Sequence, residues 1–331
     1  MAGISPDQII TAVVAVVGVP LVLLGYIVLG EQVIERLPDR TQGWIRPYFW
    51  ALPAIGFATV FMVYPMLRTV VISFRDNADD AWADGPWGVF ANYHYFFTFP
   101  DTLNSLRNSL LWLVFYTFFA VFFGLIIAIL VDRVRWETIA KIAIFLPVPI
   151  SAVAASIIWK FMFDYQPPGT TQTGTLNALL SVGHQAPVAW LVNSTTNNAA
   201  LIFVGIWTAT GFCMVIISAS LKAISTEVLE AARIDGANEF QIVRLVVTPL
   251  LWPTITVVGT TMIINALKTF DIVYVMTNGA YNTDVIATQM FFQLQHNHNS
   301  RAAAVGVVLF LAIVPLLVVN IRRFQQQEEQ R

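Results

Sequence analysis

The sequence predicts an all-α protein that crosses a membrane several times. Hydrophobic residues make up 57% of the chain, charged residues make up only 11%, and the mean hydropathy is +0.68. Soluble domains usually carry about a quarter of their residues as charged side chains, so this composition excludes that class. Because backbone in lipid must satisfy its own hydrogen bonds, and no ten-residue alternating pattern indicates a barrel, we expect the spans to be helices.

Seven candidate spans follow from the positions of the charged residues. Each lacks Asp, Glu, Lys and Arg and is long enough to cross the roughly 30 Å hydrocarbon layer. They are residues 9–30, 47–67, 108–131, 142–159, 199–221, 245–267 and 302–321. We predict that residues 1–107 form the first two helices and an external loop, that 108–321 form the core, and that 322–331 form a tail.

The distribution of positive charges predicts the orientation of the chain. Segments 31–46, 132–141, 222–244 and 322–331 together carry twelve of the eighteen Lys and Arg residues. Since positively charged loops are retained in the cytoplasm, we expect these segments and the C-terminus to lie inside. The N-terminus and the aromatic-rich segments before the third and fifth spans are then outside.

Several kinds of function are disfavoured by what the sequence lacks. No ionisable residue interrupts the spans, which argues against a carrier driven by protons or sodium ions. No glycine-rich loop ending in Gly-Lys occurs, so we expect no ATP binding, catalysis or cofactor in this chain, and energy must come from a partner. His296 and His298 lack carboxylate or thiolate neighbours and are not predicted to bind a metal. No basic cluster indicates nucleic acid as a partner.

The stretch EAARIDGANEF, residues 230–240, places four charged residues between two apolar spans. Ser225 or Thr226 is expected to cap a short helix with Glu230 in its first turns. Gly236 is expected to take the left-handed conformation that ends this helix, and Asn238 to cap a second helix that enters the membrane. The sequence therefore predicts a helix, a glycine turn and a helix on the cytoplasmic side.

Two interpretations of this stretch stay open on its chemistry alone. Ala231 and Ala232 would leave a smooth face for another protein, and Glu230 and Asp235 would fix the register by charge. Alternatively, the helix would lie on lipid headgroups, although its acidic balance lacks the basic face typical of such helices.

The pattern EAARIDGAN, with Gly236 followed by Pro249 and Pro253, resembles the EAA loop of bacterial ABC importer permeases. The stretches IWTATGFCMVIISASLKAI and FDIVYVMTNGAYNTDVIATQMF, and FLPVPISAVAASIIWKFMF followed by GTLNALL, are similar to the maltose and alpha-glucoside permease subfamily. This resemblance covers residues 108–321 and implies a type I importer permease bundle. The residues that it implies for coupling to the ATPase are Glu230, Ala231, Ala232, Asp235 and Gly236.

The same resemblance implies the partners and the mechanism. The partners are a second homologous permease, two ATP-binding cassette subunits, an extracytoplasmic solute-binding protein, a sugar and the lipid of the bacterial inner membrane. Closure of the ATPase pair would move the loop and rock the two bundles. Val243, Thr248 and Cys213 depart from the family pattern, and Cys213 replaces a possible substrate-facing Asn. A channel or facilitator whose cytoplasmic loop binds a regulator is the alternative function.

The substrate site is expected at the outer end of the sixth span. An amide, two charges and two rings meet there, and ligand sites combine such polar groups with aromatic surface. These residues are Asn265, Lys268, Phe270, Asp271 and Tyr274. The alternatives are that Asn265 joins two helices and that Lys268 and Asp271 form an ion pair. If the site lies elsewhere, the next candidates are Trp207 and Phe212 on the fifth span, or the partner permease.

Overall fold

A computed structural model describes residues 14–76 and 86–329, and most of these residues are helical. Within the described ranges no β-strand forms, and one isolated antiparallel bridge joins Arg75 to Trp87. The all-α prediction is confirmed. The chain divides into two compact units, Met1–Arg68 and Thr69–Arg331. The division after residue 107, which separates the predicted core, stays a prediction.

The first unit contains two apolar helices. Helix α1 is Val19–Glu35, preceded by a π-helical turn at Val14–Gly18, and α2 is Asp39–Ala58. The Tyr26 ring stacks on Phe49 with 4.6 Å between the ring centroids, and Arg46 forms an ion pair with Glu31. A π-helical turn at Thr59–Val63 then continues into α3, Tyr64–Ser73.

The second unit is a bundle of thirteen described helices. They are α4 Ala91–Thr98, α5 Pro100–Leu111, α6 Thr117–Val131, α7 Glu137–Phe145, α8 Ala152–Met162, α9 Thr175–Val182, α10 Asn197–Lys222, α11 Thr226–Ile234, α12 Glu239–Gln241, α13 Thr248–Leu267, α14 Asp271–Thr277, α15 Ile286–Gln295 and α16 Asn299–Glu329. A π-helical turn at Trp112–Tyr116 joins α5 to α6, and another at Ile242–Val247 joins α12 to α13.

Three of the four described π-helical turns precede prolines for a physical reason. In an α-helix the carbonyl of Leu245 would accept from the N–H of residue 249, which is proline and has no N–H. Phe61 has the same relation to Pro65, and Val16 has it to Pro20. Widening the helix by one residue at these points lets the chain continue through the membrane without a break.

The core of the second unit is built where α10 packs against α6. A side chain at Gly124 would place its Cβ 2.5 Å from the Cβ of Cys213, and one at Gly205 would lie 2.6 Å from the Trp112 ring. Both positions therefore require glycine. Small residues allow membrane helices to approach closely, which compensates for the missing hydrophobic drive between helices in lipid.

The structure divides one predicted span into two helices. Within the described residues six helical stretches are long and apolar enough to cross a membrane: Val16–Glu35, Thr41–Ser73, Pro100–Val131, Asn197–Lys222, Glu239–Leu267 and Asn299–Val319. These stretches correspond to six of the seven predicted spans. The first five residues of the first predicted span, 9–13, lie outside the described residues. The stretch 142–159 is divided, because α7 ends at Phe145 and α8 begins at Ala152. Pro147 and Pro149 lie in the break, and Ser151 caps the new helix through a 3.2 Å bond from the Ala154 N–H.

Candidate functional site

The segment 225–241 has the predicted helix, glycine turn and helix. Ser225 caps α11 by accepting a 3.2 Å hydrogen bond from the Glu227 N–H. Gly236 has φ of +84° and follows the last turn of α11. Asn238 caps the second helix, since its side chain accepts from the Gln241 N–H at 2.9 Å and the Gln241 side chain accepts from the Asn238 N–H at 2.8 Å. These caps fix the segment's shape from its own residues.

The predicted docking residues of this segment do not all lie on one face. Glu230, Ala231, Asp235 and Gly236 are exposed. Ala232, in contrast, is half-buried and packs against the core of the bundle. The smooth face that we predicted from two alanines is therefore formed by Ala231 alone.

Two apolar side chains of the segment were missed by sequence reasoning. Ile234 is 86% exposed and Phe240 is 71% exposed, one on each side of the glycine turn. Large apolar side chains at such exposure suit burial under a partner. The signal in the sequence was their position on either side of Gly236 within a charged stretch.

The turn between α6 and α7 holds the 225–241 segment at both of its ends. Arg133 contacts Glu239 at 2.7 Å, and Glu239 also accepts from Arg233 of α11 at 3.2 Å. Glu137, at the start of α7, contacts Lys222 at 2.7 Å, immediately before the segment. Hydrogen bonds from Lys141 and then Lys222 lower the pKa of Glu137, so its carboxylate stays charged. We refer to these contacts as the ionic brace.

Two adjoining cavities lie where the divided stretch 142–159 meets α10 and α13. Their volumes are about 430 and 280 Å³, and both are lined by Tyr116, Ala152, Thr208 and Asn265. The larger is also lined by Val148 and Ile150 from the break between α7 and α8. The break therefore shapes the wall of the cavity, and we call the two spaces together the central cavity.

The central cavity gathers most of the residues that the sequence pointed to, and leaves out two. Asn265 and Phe212 line its larger part, and Lys268, Phe270 and Asp271 line the smaller part together with Asn265. Trp207 packs edge-on against Trp159, with ring centroids 5.6 Å apart. Tyr274 stacks on Phe270 at 5.1 Å and contacts Phe291, so it supports the cavity wall from behind.

Two expectations about individual side chains are corrected by this geometry. Lys268 and Asp271 are both exposed and form no ion pair with each other among the described residues. Both charges therefore face the smaller part of the cavity separately. Cys213 is fully buried against Gly124, so position 213 does not face the cavity.

Sequence reasoning missed Tyr116 and Thr208, which line both parts of the cavity. The hydroxyl of Tyr116 contacts the Met262 sulfur at 3.6 Å and interacts with the Asn265 side chain. Tyr116 is the single tyrosine of the apolar stretch 108–131, and that isolation was the available signal. Together with Thr208 and Asn265 it gives both parts of the cavity hydroxyl and amide groups.

The loop 278–286 is held by two buried amides, one near the end of α5 and one at the start of α10. The Asn108 amide donates to the carbonyls of Asn282 at 2.7 Å and Asp284 at 2.8 Å. The Asn197 amide donates to the Tyr281 carbonyl at 2.7 Å, and the Ile286 N–H donates to Ser109 at 3.0 Å. Burial raises the pKa of the Asp284 carboxyl to about 6, against the opposing effect of a hydrogen bond from Thr288.

Comparisons with known proteins agree on one family. Residues 120–327 match the family described as the binding-protein-dependent transport system inner membrane component. The osmoprotective compounds uptake permease protein GgtC of Synechocystis sp. is 47% identical over 283 residues, covering 85% of this chain and 100% of that protein. The alpha-glucoside transport system permease protein AglF of Rhizobium meliloti is 40% identical over 280 residues, covering 84% of this chain and 82% of that protein.

A solved structure shares the fold. The crystal structure of a bacterial ABC transporter involved in the import of the acidic polysaccharide alginate contains a chain that superposes with a TM-score of 0.71 at 22% identity. The match covers 88% of this chain and 97% of that chain. At this identity the likeness shows the architecture of an ABC importer permease.

Proposed function

Because this chain belongs to the binding-protein-dependent transport system inner membrane component family, we propose that it imports a neutral sugar or alpha-glucoside as one of two paired permease subunits. The chain is a multi-pass membrane permease, and its role is transport rather than catalysis. The name of the alpha-glucoside relative supports the substrate class. The observation that carries the proposal is the central cavity, which combines hydroxyl and amide groups, the opposite charges of Lys268 and Asp271, and aromatic rings.

In this proposal the 225–241 segment couples the chain to an ATPase subunit. The proposed orientation, with the N-terminus outside and the C-terminus in the cytoplasm, puts the segment where ATP is available. Glu230, Ala231, Asp235 and Gly236 would meet the ATPase, with Ile234 and Phe240 as apolar anchors. Ala232 would act indirectly by fixing the helix to the bundle. The full complex would add a second permease, two ATPase subunits and an external solute-binding protein.

The ionic brace gives the coupling segment a defined base. Arg133 and Glu137 lie in one short turn and contact residues on either side of the segment, Glu239 and Lys222. A push on α11 by a moving ATPase would therefore be passed to α6, α7 and α10 together. Since α6, α8, α10 and α13 carry residues that line the central cavity or pack beside it, that motion would change the access to the cavity.

For the substrate, Tyr116, Thr208 and Asn265 would donate and accept hydrogen bonds to sugar hydroxyls, and Phe212 and Phe270 would pack against ring faces. Lys268 and Asp271 offer opposite charges that cancel, which fits a neutral ligand better than an anionic one. The two parts of the cavity, about 430 and 280 Å³, fall in the range of small-molecule sites when joined.

Uptake by the reconstituted complex tests this proposal. Asn265→Ala and Tyr116→Phe should each raise the KM for sugar uptake about ten-fold, since each removes one or two hydrogen bonds worth about 1 kcal/mol apiece. Thr256→Ala is the matched control, because the Thr256 hydroxyl bonds to the Trp252 carbonyl of its own helix at 2.9 Å. ATPase activity stimulated by loaded binding protein reports assembly. Normal uptake of every accepted sugar by both variants would place the substrate site elsewhere.

A further inference from the structure

A second concave surface lies on a different face of α10 from the central cavity. It is a groove of about 530 Å³ between the α5–α6 stretch and α10. Thr208 and Phe212 of α10 line the central cavity, whereas Ile202 and Ile206 line the groove. Because successive helical residues turn by about 100°, Ile206 points roughly 200° away from Thr208. The groove is therefore separate from the central cavity.

The groove is polar at one end and apolar along the rest of its length. On the α5–α6 stretch its lining residues recur every four positions, as Arg107, Leu111, Phe115 and Phe119. The distance from Arg107 to Phe119 along a helix is about 18 Å, close to half of the roughly 30 Å hydrocarbon layer. A single leaflet therefore matches the groove's length, whereas a membrane helix of a partner subunit would need the full thickness.

The polar end combines a cation with hydroxyl groups. Arg107 is exposed and pairs with no carboxylate among the residues that the structure describes. Ser194 and Thr195, which are also exposed, add hydroxyl groups to this end of the groove. A ligand with one negative charge and at least one hydroxyl group would pair with Arg107 and hydrogen-bond to these side chains together.

We propose that this groove binds one anionic phospholipid with a hydroxyl-bearing headgroup, of the phosphatidylglycerol type. The phosphate lies against the Arg107 guanidinium, and a headgroup hydroxyl hydrogen-bonds to the Ser194 hydroxyl. One acyl chain follows the stripe from Leu111 to Phe119. In the proposed orientation, this lipid belongs to the outer leaflet.

Native mass spectrometry of the full-length chain tests the proposal. The chain is reconstituted in nanodiscs with equal amounts of phosphatidylcholine and phosphatidylglycerol, released into mild detergent and weighed with its retained lipid. The wild type should keep one phosphatidylglycerol per chain with about a five-fold preference, the factor expected for one basic residue at a membrane surface. Arg107→Gln should bring the retained lipids to the mixing ratio.

Two further variants separate a groove site from general attraction to the membrane. Ala199→Trp fills the apolar part of the groove and should abolish retention of this lipid whatever its headgroup. Arg135→Gln removes another exposed arginine that forms no ion pair among the described residues, and it should leave the preference unchanged. Circular dichroism and gel filtration confirm that each variant is folded.

Three results would overturn the proposal. The first is a wild type that retains both lipids equally, and the second is an Arg107→Gln or Ala199→Trp variant that retains phosphatidylglycerol as the wild type does. The third comes from Phe203→Cys, which places a thiol at a groove residue that is 47% exposed. Efficient cross-linking of this thiol to another subunit of the assembled transporter would show that protein, not lipid, fills the groove.

Discussion

The 225–241 segment, before α13, and the 278–286 loop, after α14, are both tied to the bundle, but by different chemistry. The 225–241 segment is held by the ionic brace, in which the side chains of Arg133 and Glu239 are 48% and 51% exposed. The 278–286 loop is held by Asn108 and Asn197, which are 1% and 0% exposed. Exposed ion pairs contribute about 0–1 kcal/mol each and weaken with salt, whereas a buried carbonyl that loses its donor costs about 1–3 kcal/mol.

This difference indicates which loop is built to move. Ion pairs at the protein surface can break and re-form with little change in free energy, because water replaces the lost partner. Buried amide contacts cannot, because nothing replaces them. We therefore expect the 225–241 segment to shift during transport, and the 278–286 loop to stay fixed to α5 and α10 as a reference point.

The largest expected effect comes from removing the amide of Asn108. Asn108→Leu removes the donor that the carbonyls of Asn282 and Asp284 share and replaces a buried amide, and it should lower the free energy of unfolding by about 2–4 kcal/mol. Thermal unfolding of the purified chain measures this loss, and hydrogen exchange should increase in residues 281–286. Asn104→Leu, at a half-buried position one turn earlier, is the control. Equal stability of the two variants would contradict the view of this loop as a fixed element.

The next effect is a pH dependence carried by Asp284. Its raised pKa of about 6 means that the folded state favours the neutral carboxyl. Because the unfolded group has the lower pKa, the folded state binds the proton more tightly, and stability should rise as the pH falls from about 6 to 4. The gain should be about 1–3 kcal/mol.

Asp284→Asn isolates this contribution from that of other carboxylates. The stability of the wild type should rise between pH 6 and 4 relative to that of the variant, because the variant lacks the titrating carboxyl. Melting curves of both proteins at each pH measure this difference. Asp101 is the nearby like charge that helps to raise the pKa of Asp284, so Asp101→Asn should reduce the effect only slightly. A wild-type and an Asp284→Asn protein with parallel pH profiles would be evidence against a buried charge here.

A smaller cost is expected at the glycine turn of the coupling segment. Gly236 has φ of +84° and open space around its missing side chain, so Gly236→Ala or Gly236→Val adds backbone strain without a clash. The strain should cost about 1–2 kcal/mol locally and reorient α11, which should uncouple ATPase activity from uptake. Gly259→Ala, at a helical position with equally open space, should behave as the wild type. If Gly236→Val couples ATPase activity to uptake as the wild type does, the 225–241 segment is not the contact with the ATPase subunit.

The smallest effect on stability should come from the ionic brace. Glu239→Gln or Arg133→Gln should leave the thermal unfolding of the chain nearly unchanged, because exposed ion pairs add little to stability, yet should reduce the ATPase stimulation by loaded binding protein. The exchanged pair Arg133→Glu with Glu239→Arg should restore part of that stimulation, and Glu227→Gln serves as a charge-matched control on the same segment. A brace variant with unchanged stimulation at low salt would show that the ion pairs are incidental.

Local signals in the sequence were enough to predict the 225–241 segment. Ser225, Gly236 and Asn238 act through neighbouring backbone groups, so their spacing alone carries the information. The same local signals could not predict that Ala231 is exposed while Ala232 packs against the bundle. Which alanine faces the bundle depends on how α11 leans on the core, and that is set by distant residues.

The central cavity was predicted only in part, because it is assembled from parts of the chain far apart in sequence. Asn265 stood out as an amide in an apolar span, whereas Tyr116 and Thr208 were recognised only once the packing of α6, α10 and α13 was known. The prediction of one continuous helix over residues 142–159 was wrong for a related reason. Counting uncharged residues does not register that Pro147 and Pro149, two residues apart, end one helix before the next begins.

The close packing of Gly124 against Cys213 also makes the protein its own conformational reporter. Cys213 is the single cysteine of the sequence, and its side chain is fully buried between α6 and α10. Thiol-reactive dyes should therefore not label Cys213 in the resting wild type. A cysteine introduced at an exposed position can then be labelled without first replacing the native one. If α6 and α10 separate at any stage of transport, the native thiol should begin to react, and the labelling rate would count how often that stage is visited.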